Sequence, residues 1–389
     1  MFHILTLNSI SKRGLAELPA AAFTVADDVR DPDAILVRSA SMLNAPLSPG
    51  LWAIARAGAG HNNIPVSRCS EEGVVVFNTP GANANAVMEL TLAGLLLSSR
   101  KIVEGIGWVS GLKGVPDLAE RVEKGKMSFA GPELEGKKLG VVGLGAVGVL
   151  VANACEALGM AVSGYDPHMS LDAAWGLSRN VGRAVSLDVL LEESDYVTLH
   201  MPLIEETWGV FGAKLLSQMK PGARLLNFSR GEIVSDAAVL AALESGCLSR
   251  YVTDFPSNEL LGAEKVLAIP HLGASTPEAE DNCAVMAALQ LKNFLQHGSV
   301  KNSVNLPDCD SGPALKPRIT VIIQNVPNVV GPVTTALADA NINISNMLNK
   351  SKGDYSYNII DLDSPCPAAT LEKITRIKGV VRARRINGK

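Results

Sequence analysis

The 389-residue chain lacks the features that would take it to a membrane, a nucleic acid or the cell exterior. No uncharged apolar run reaches the ~18 residues a membrane span needs. The longest candidate, Leu139 to Ala152, is interrupted by glycines. The first residues, Met1 to Leu7, show no basic stretch followed by an apolar one, so they read as a first strand rather than a signal peptide. The six cysteines, at 69, 155, 247, 283, 309 and 366, are scattered with no C-x-x-C pair. That pattern excludes a disulfide framework and a zinc site, leaves no metal ligand set, and fits a reducing cytoplasm. Lys and Arg number 35 against 39 Asp and Glu, with no basic block, which argues against nucleic acid as a partner. Aromatics are only 4%. What is present is 47% hydrophobic residues and 35 glycines. Such a chain can bury large cores, its length suits two or three domains, and its glycine richness fits parallel α/β sheets better than a β-sandwich.

Short apolar runs bounded by turn residues mark strands covered on both faces: Ala34–Val37, Trp52–Ala55 and Gly73–Phe77. A long apolar helix is expected from Ala84 to Ser110. A second series begins near Lys138, with strands at Leu139–Val142, Met160–Tyr165, Tyr196–Leu199, Ala223–Asn227 and Val266–Ile269, and a closing helix from Pro277 to His297. Residues 302–317 hold three prolines, a glycine and two aspartates and read as a linker. The remainder, from Arg318, reads βαββαβ, the ferredoxin-like order. The expected fold class is α/β, with two Rossmann-like, doubly wound parallel-sheet domains and a C-terminal ferredoxin-like domain. The boundaries are 1–94 with 271–301 for the substrate domain, 95–270 for the nucleotide domain, 302–317 for the linker and 318–389 for the last domain.

Gly143-Leu144-Gly145-Ala146-Val147-Gly148 is G-x-G-x-x-G. It follows a strand and opens a helix, and Asp166 comes 18 residues after Gly148 at the end of the next strand. That context makes it a dinucleotide fingerprint. Glycines let the backbone approach a pyrophosphate, the helix N-terminus favours its charge, and Asp166 can accept from the ribose hydroxyls. No Arg or Lys follows Asp166 in Pro167-His168-Met169-Ser170, so the expected cofactor is NAD rather than its phosphorylated form.

Three polar residues stand near the ends of predicted strands: Arg230, Glu259 and His271, with Asp254 five residues before Glu259. In open α/β sheets that is where ligands bind. A histidine can take a hydroxyl proton near neutral pH, a carboxylate can orient and stabilise its imidazolium, and a guanidinium can grip a substrate carboxylate through two bonds. Behind a NAD fingerprint, these are the parts of a 2-hydroxy acid dehydrogenase.

The sequence resembles the D-isomer-specific 2-hydroxyacid dehydrogenase family, nearly end to end. The resemblance is carried by Val37-Arg38-Ser39-Ala40, Ala55 to Gly60, Val76 to Asn83, His200-Met201-Pro202-Leu203, Asn227 to Gly231, Pro270 to Thr276 and Lys301 to Pro307. It implies Arg230, Glu259 and His271 as the catalytic set. It implies cofactor contacts from Gly143, Gly145, Ala146, Val147, Gly148, Asp166, His200, Pro202, Thr207, Asp254 and Gly273. It implies substrate contacts from Arg38, Ser39, Ala57, Gly58, Ala59, Asn83 and Asn85, with Arg38 and Ser39 on a phosphate and the 57–60 backbone on a carboxylate. Two stretches depart from the family pattern: Gly58-Ala59-Gly60-His61-Asn62-Asn63 lacks a Thr and an Asp, and Asp-Phe-Pro-Ser-Asn precedes Glu259.

The last ~70 residues resemble an ACT domain, an amino-acid-sensing module. The resemblance points to Asn325 and Asn343 as effector contacts for serine, although Ile323 stands where serine-inhibited relatives have His, and Asn328 replaces a Gly. The activity implied is NAD-dependent oxidation of 3-phospho-D-glycerate to 3-phosphohydroxypyruvate, the first step of phosphorylated L-serine biosynthesis, by a homodimer or homotetramer. The alternatives are a glyoxylate or hydroxypyruvate reductase of the same family, and a non-catalytic NAD-sensing regulator.

Overall fold

The computed structural model describes residues 1–386, and these fall into two compact units, Met1–Asn83 with Pro277 onward, and Ala84–Thr276. Among the described residues no helix is long and apolar enough to cross a membrane.

The first unit is built on a five-stranded sheet of β1 (Phe2–Leu7), β2 (Phe23–Ala26), β3 (Ala34–Val37), β4 (Ala53–Arg56) and β5 (Val75–Phe77), in the order β2-β1-β3-β4-β5. Every pairing is parallel. Alternation splits the strand residues between two cores. Ile4, Ala34, Leu36, Ala53, Ala55, Val75 and Phe77 pack with Ala284, Ala287, Leu291 and Phe294 of the helix Pro277–His297. Ile35, Val37, Ile54 and Val76 pack with Met42, Leu51 and Cys69 on the other face.

The second unit holds seven parallel strands: β6 (Lys138–Val142), β7 (Ala161–Tyr165), β8 (Gly182–Arg183), β9 (Tyr196–Leu199), β10 (Ala223–Asn227), β11 (Leu248–Thr253) and β12 (Val266–Ala268). The order β12-β11-β10-β9-β6-β7-β8 reverses between β6 and β9, which makes that crevice the topological switch point. β11 is absent from the apolar pattern because Arg250 lies in its middle. Arg250 is nevertheless buried, held in an ion pair with Glu104.

The single helix expected over Ala84–Ser110 is two helices, Ala84–Ser99 and Ile102–Ser110. The hydroxyls of Ser98 and Ser99 both donate to the Leu95 carbonyl, and Arg224 Nε donates to the Ser98 carbonyl. Side chains that claim the last carbonyls in this way compete with continuation of the helix.

β13 (Arg318–Gln324), β14 (Ile344–Lys352), β15 (Tyr355–Leu362) and β16 (Val380–Ile386) form an antiparallel sheet in the order β14-β15-β13-β16. β14 runs beyond the expected Leu348 to Lys352, pairing Lys352 with Tyr355 around a tight turn at Gly353. One face of the sheet carries its own core with the helices Val330–Asp339 and Ala368–Thr375. The other contributes Ile322, Tyr357 and Ile359 to the core of the first parallel sheet. Residues 302–317 are irregular but packed: Leu306, Cys309 and Ala314 are buried, and the Asn305 amide donates to the Val74 carbonyl.

Candidate active site

β10, β11 and β12 end in step. Asn227 pairs with Thr253, and Thr253 with Ala268. Arg230, Asp254 and His271 follow those residues by three, one and three positions, so all three leave the carboxyl edge of adjacent parallel strands. Asn227 ties the first loop, its amide donating to the Arg230 carbonyl at 2.8 Å. The Arg230 guanidinium donates to the Ser229 carbonyl and has no ion pair among the described residues. The His271 ring is exposed and tilted against Phe255, with centroids 4.7 Å apart. Phe255 is a neighbour that sequence reasoning did not single out; its position directly after Asp254 was the available signal. Glu259 lies exposed in the β11–β12 loop, and the structure shows no hydrogen bond between it and His271.

Asp254 is fully buried. Its Oδ2 accepts from Gly273 N at 3.0 Å, while its Oδ1 has no hydrogen-bond partner among the described residues. Burial pushes this carboxyl up, opposed by the Gly273 bond and by the nearby His271. A buried carboxylate oxygen without a donor is costly and marks a place for one.

The glycine-rich turn sits at the end of β6. Gly143 has φ +92° and packs on the backbone of His200; a Cβ there would come within 2.7 Å of the His200 carbonyl group. A Cβ on Gly148 would lie 1.9 Å from the Gly143 oxygen, so the turn closes only with glycine at both places. Gly145 faces open space. The helix Ala146–Ala157 begins here, and the N–H groups of Ala146, Val147 and Gly148 have no acceptor within it. Asp166 accepts from Leu144 N and His168 N, both at 2.8 Å, which pins the turn to the end of β7.

Residues 107–273 match the family described as D-isomer specific 2-hydroxyacid dehydrogenase, NAD binding domain. The matched stretch holds the glycine-rich turn and the strands β6 to β12. A curated D-3-phosphoglycerate dehydrogenase from Archaeoglobus fulgidus is 36% identical over 292 residues, covering 72% of this chain and 52% of that protein. This chain therefore spans about half the length of that relative. The Escherichia coli (strain K12) D-3-phosphoglycerate dehydrogenase is 29% identical over 412 aligned positions, covering 98% of this chain and 96% of its own length. Among solved structures, an NAD+-bound 3-phosphoglycerate dehydrogenase from Entamoeba histolytica superposes with a TM-score of 0.61 at 26% identity, covering 78% of this chain and 98% of that one. D-mandelate dehydrogenase from Rhodotorula graminis superposes at 0.66 with 24% identity, covering 80% and 99%, and shares the fold.

In the NAD-binding domain the residues present fit the cofactor. The Gly143–Gly148 turn leaves room and donors for a pyrophosphate, Asp166 has acceptor capacity beside it, and the orphaned Asp254 Oδ1 fits an amide donor. His200 stands at the switch point, its backbone N–H on Val142 O and its Nε2 2.9 Å from the Thr198 hydroxyl. Burial pulls its imidazole down to about 3, so it stays neutral. Thr207 Oγ1 donates to the Pro202 carbonyl and accepts from Ile204 N, fixing the loop after β9.

In the first unit, Arg38 and Ser39 follow β3. Arg38 Nη2 is 2.5 Å from Glu280 Oε1, and Asn8 Oδ1 accepts from Ser39 N. Ala57 N donates to Val37 O and Gly58 N to Arg56 O. The N–H groups of Ala59 and Gly60 donate to nothing among the described residues, although the Ala59 carbonyl accepts from Asn78. Asn83 ends that stretch, and Asn85, in the second unit, donates to Glu89 Oε1. In the C-terminal module, Asn325 follows β13 and donates to Gly353 O, while Asn343 precedes β14 and donates to Asp363. The register puts them at opposite ends of the sheet, so one copy does not bring them together. Asn328 has φ +64°, the conformation in which Asn replaces Gly most readily. No group of three or more His, Cys, Asp or Glu side chains among the described residues is placed to hold a metal.

Proposed function

We propose that this protein oxidises 3-phospho-D-glycerate to 3-phosphohydroxypyruvate with NAD, the opening step of phosphorylated L-serine synthesis. The observation that carries the reading is the alignment of Arg230, Asp254 and His271 at one strand edge of an NAD-binding domain, none of the three in an ion pair among the described residues. The curated relatives named as D-3-phosphoglycerate dehydrogenases support the choice of substrate.

When bound, NAD supplies a hydride acceptor. His271 takes the substrate's hydroxyl proton on a ring nitrogen, its ring oriented by Phe255. Glu259 stabilises the protonated ring by closing on it, a movement its exposed loop permits. Arg230 holds the substrate carboxylate with the guanidinium donors that Ser229 leaves free. The unengaged N–H groups of Ala59 and Gly60 serve as anion donors, and Arg38 with Ser39 as the phosphate contact.

One observation favours a second reading, a reductase of glyoxylate or hydroxypyruvate. Arg38 is already paired with Glu280, and such an enzyme needs no phosphate contact. The deciding experiment compares kcat/KM for NADH-dependent reduction of 3-phosphohydroxypyruvate, hydroxypyruvate and glyoxylate. A preference of about 100-fold for the phosphorylated substrate, roughly 2.7 kcal/mol, supports the proposal. Equal rates overturn it in favour of the reductase. No turnover on any of them favours the NAD-sensing regulator.

Assembly belongs to the same proposal. The helix Ile102–Ser110 buries none of its residues, and Val103, Ile106 and Val109 are exposed together. An apolar face of this kind fits a homodimer contact, the unit from which a tetramer would be built. Ile106→Glu should then shift the light-scattering mass toward the monomer. Serine feedback would require a second copy to bring an Asn325 near an Asn343, and it is read by assaying the enzyme with and without serine. The six free cysteines fit a cytoplasmic location.

A further inference from the structure

The loops after β4 and β5 leave the carboxyl edge of adjacent parallel strands, since Ala55 pairs with Phe77. Two donors from the second loop reach the first. Thr79 N donates to the Gly58 carbonyl at 3.1 Å, and the Asn78 side-chain amide donates to the Ala59 carbonyl at 2.6 Å. Two successive carbonyls of the 57–60 loop are therefore drawn toward residues 78 and 79.

A trans peptide is planar, with its N–H opposite its C=O. The Gly58 carbonyl shares a peptide with the Ala59 N–H, and the Ala59 carbonyl with the Gly60 N–H. Turning both carbonyls toward residues 78 and 79 turns both N–H groups away from them. These are the two N–H groups that donate to nothing among the described residues. Successive backbone N–H groups on one side of a loop make an anion-binding concavity. The main chain supplies the first of the two carbonyl bonds. The second depends on one side chain, Asn78.

Asn78 is itself held. Its N–H donates to the Asn302 carbonyl, and its own carbonyl accepts from Gln290 Nε2 at 3.1 Å. Gln290 belongs to the helix Pro277–His297 and is 8% exposed, on a helix whose Ala287 and Leu291 pack into the first core. Its Oε1 has no hydrogen-bond partner among the described residues. A buried amide with an unmet oxygen costs stability, and an apolar residue would avoid that cost. The bond to Asn78 is what the amide contributes in exchange.

We propose that Asn78 is a positioning residue for substrate binding. Its side-chain amide fixes the Ala59 peptide so that the Gly60 N–H joins that of Ala59 as a donor to a carboxylate, and Gln290 fixes Asn78. This rests on the reading that those two N–H groups receive the substrate's carboxylate. A freed peptide can rotate, and a donor that must be re-oriented on binding weakens the complex. The contact is made equally to substrate and to transition state, so its loss appears in KM rather than in kcat.

The test uses the full chain with saturating NADH and with oxalate, which offers carboxylates but neither a phosphate nor a reducible keto group. Oxalate affinity is read by calorimetry, and KM and kcat on whichever of 3-phosphohydroxypyruvate, hydroxypyruvate and glyoxylate is turned over. Asn78→Ala should weaken oxalate about tenfold and raise KM by the same factor, with kcat changed by less than about twofold and the dissociation constant of NADH unchanged. Asn78→Asp adds a second signature. Its carboxyl repels the Ala59 carbonyl when ionised and can donate to it when protonated, so its oxalate affinity relative to wild type should recover as pH falls from about 8 to about 5. A residue that merely held the fold would lower the melting temperature and leave oxalate affinity per folded molecule alone. If the Asn78 variants fail to fold, Gln290→Met, which keeps the volume and removes the donor, should weaken oxalate about threefold. Unchanged oxalate affinity and KM in Asn78→Ala and Gln290→Met overturn the proposal, as does a wild type that binds no oxalate at millimolar concentration. Oxalate binding that the variants weaken, in a chain that turns over none of the three substrates, supports the role of Asn78 and overturns the dehydrogenase reading instead.

Discussion

The loops after β10, β11 and β12 and the ion pairs of the other unit treat charge differently. In the NAD-binding unit, Arg230, Glu259 and His271 have no ion pair among the described residues, and the buried Asp254 Oδ1 has no donor at all. In the other unit three arginines near the sheet ends and the long helix are met by the chain's own carboxylates: Arg13 with Asp281, Arg38 with Glu280, Arg318 with Asp361. Unmet polar groups cost stability and are retained where a ligand will meet them, whereas paired ones hold structure. Under the proposed function, the contrast separates residues that act from residues that hold. Arg382 and Arg384, at least half buried, have no ion pair among the described residues and are met by aromatic rings and carbonyls instead.

The sharpest way to break the contrast is at His271. His271→Ala should lower kcat by on the order of 10³-fold while leaving the dissociation constant of NADH, read by fluorescence titration, unchanged. A variant that keeps its turnover removes His271 from the chemistry. The matching test in the paired unit is Asp361→Asn. Arg318 is 2% exposed and its Nε lies 2.6 Å from Asp361 Oδ1, so losing the carboxylate strands a buried cation. The expected cost is about 3 kcal/mol, seen as a lower urea midpoint with activity per folded molecule retained. Burial would raise the Asp361 carboxyl, but the bonds from Arg318 and Asn346 outweigh it and hold it below the ordinary value. The stabilisation is therefore complete above the unfolded value near 4 and is lost as pH falls through the folded one. The gap between wild type and Asp361→Asn should close in acid. Third, Gly148→Ala places a methyl 1.9 Å from the Gly143 oxygen and must open the turn. NADH affinity should fall about 100-fold, roughly 2.7 kcal/mol, with thermal stability changed much less.

What the sequence disclosed divides along the same line. The cofactor turn was legible because its signal is local: G-x-G-x-x-G, a strand before it, a helix after it and an acid at the next strand end. The ends of β10 and β12 were legible because continuous apolar runs mark buried parallel strands. β11 was not, since Arg250 breaks its run and the compensating Glu104 lies far away in sequence. The break between Ser99 and Ile102 was hidden because serine hydroxyls and Arg224 take the helix's last carbonyls, and only the folded chain brings Arg224 there. The burial of Arg382 and Arg384 was not legible in the sequence. Their burial comes from docking the sheet on Trp52 and Phe294, a tertiary event with no local signature. Asp254 was placed at the site by resemblance, but its unmet oxygen is visible only in the structure.

The smallest expected effect tests where the contrast is least secure, at Arg38. Its pair with Glu280 is half exposed, and such pairs are worth about 0.2–1 kcal/mol. If Arg38 serves a substrate phosphate, Glu280 is a competitor that the phosphate must displace. Glu280→Gln then frees the guanidinium, and KM for 3-phosphohydroxypyruvate should fall by about 1.5- to 5-fold with kcat unchanged. KM for glyoxylate, which has no phosphate, should not move. If the pair only holds the β3 loop to the helix Pro277–His297, loosening it should affect both substrates alike and lower the melting temperature. The ratio of the two KM changes thus decides whether Arg38 belongs with the residues that act or with those that hold.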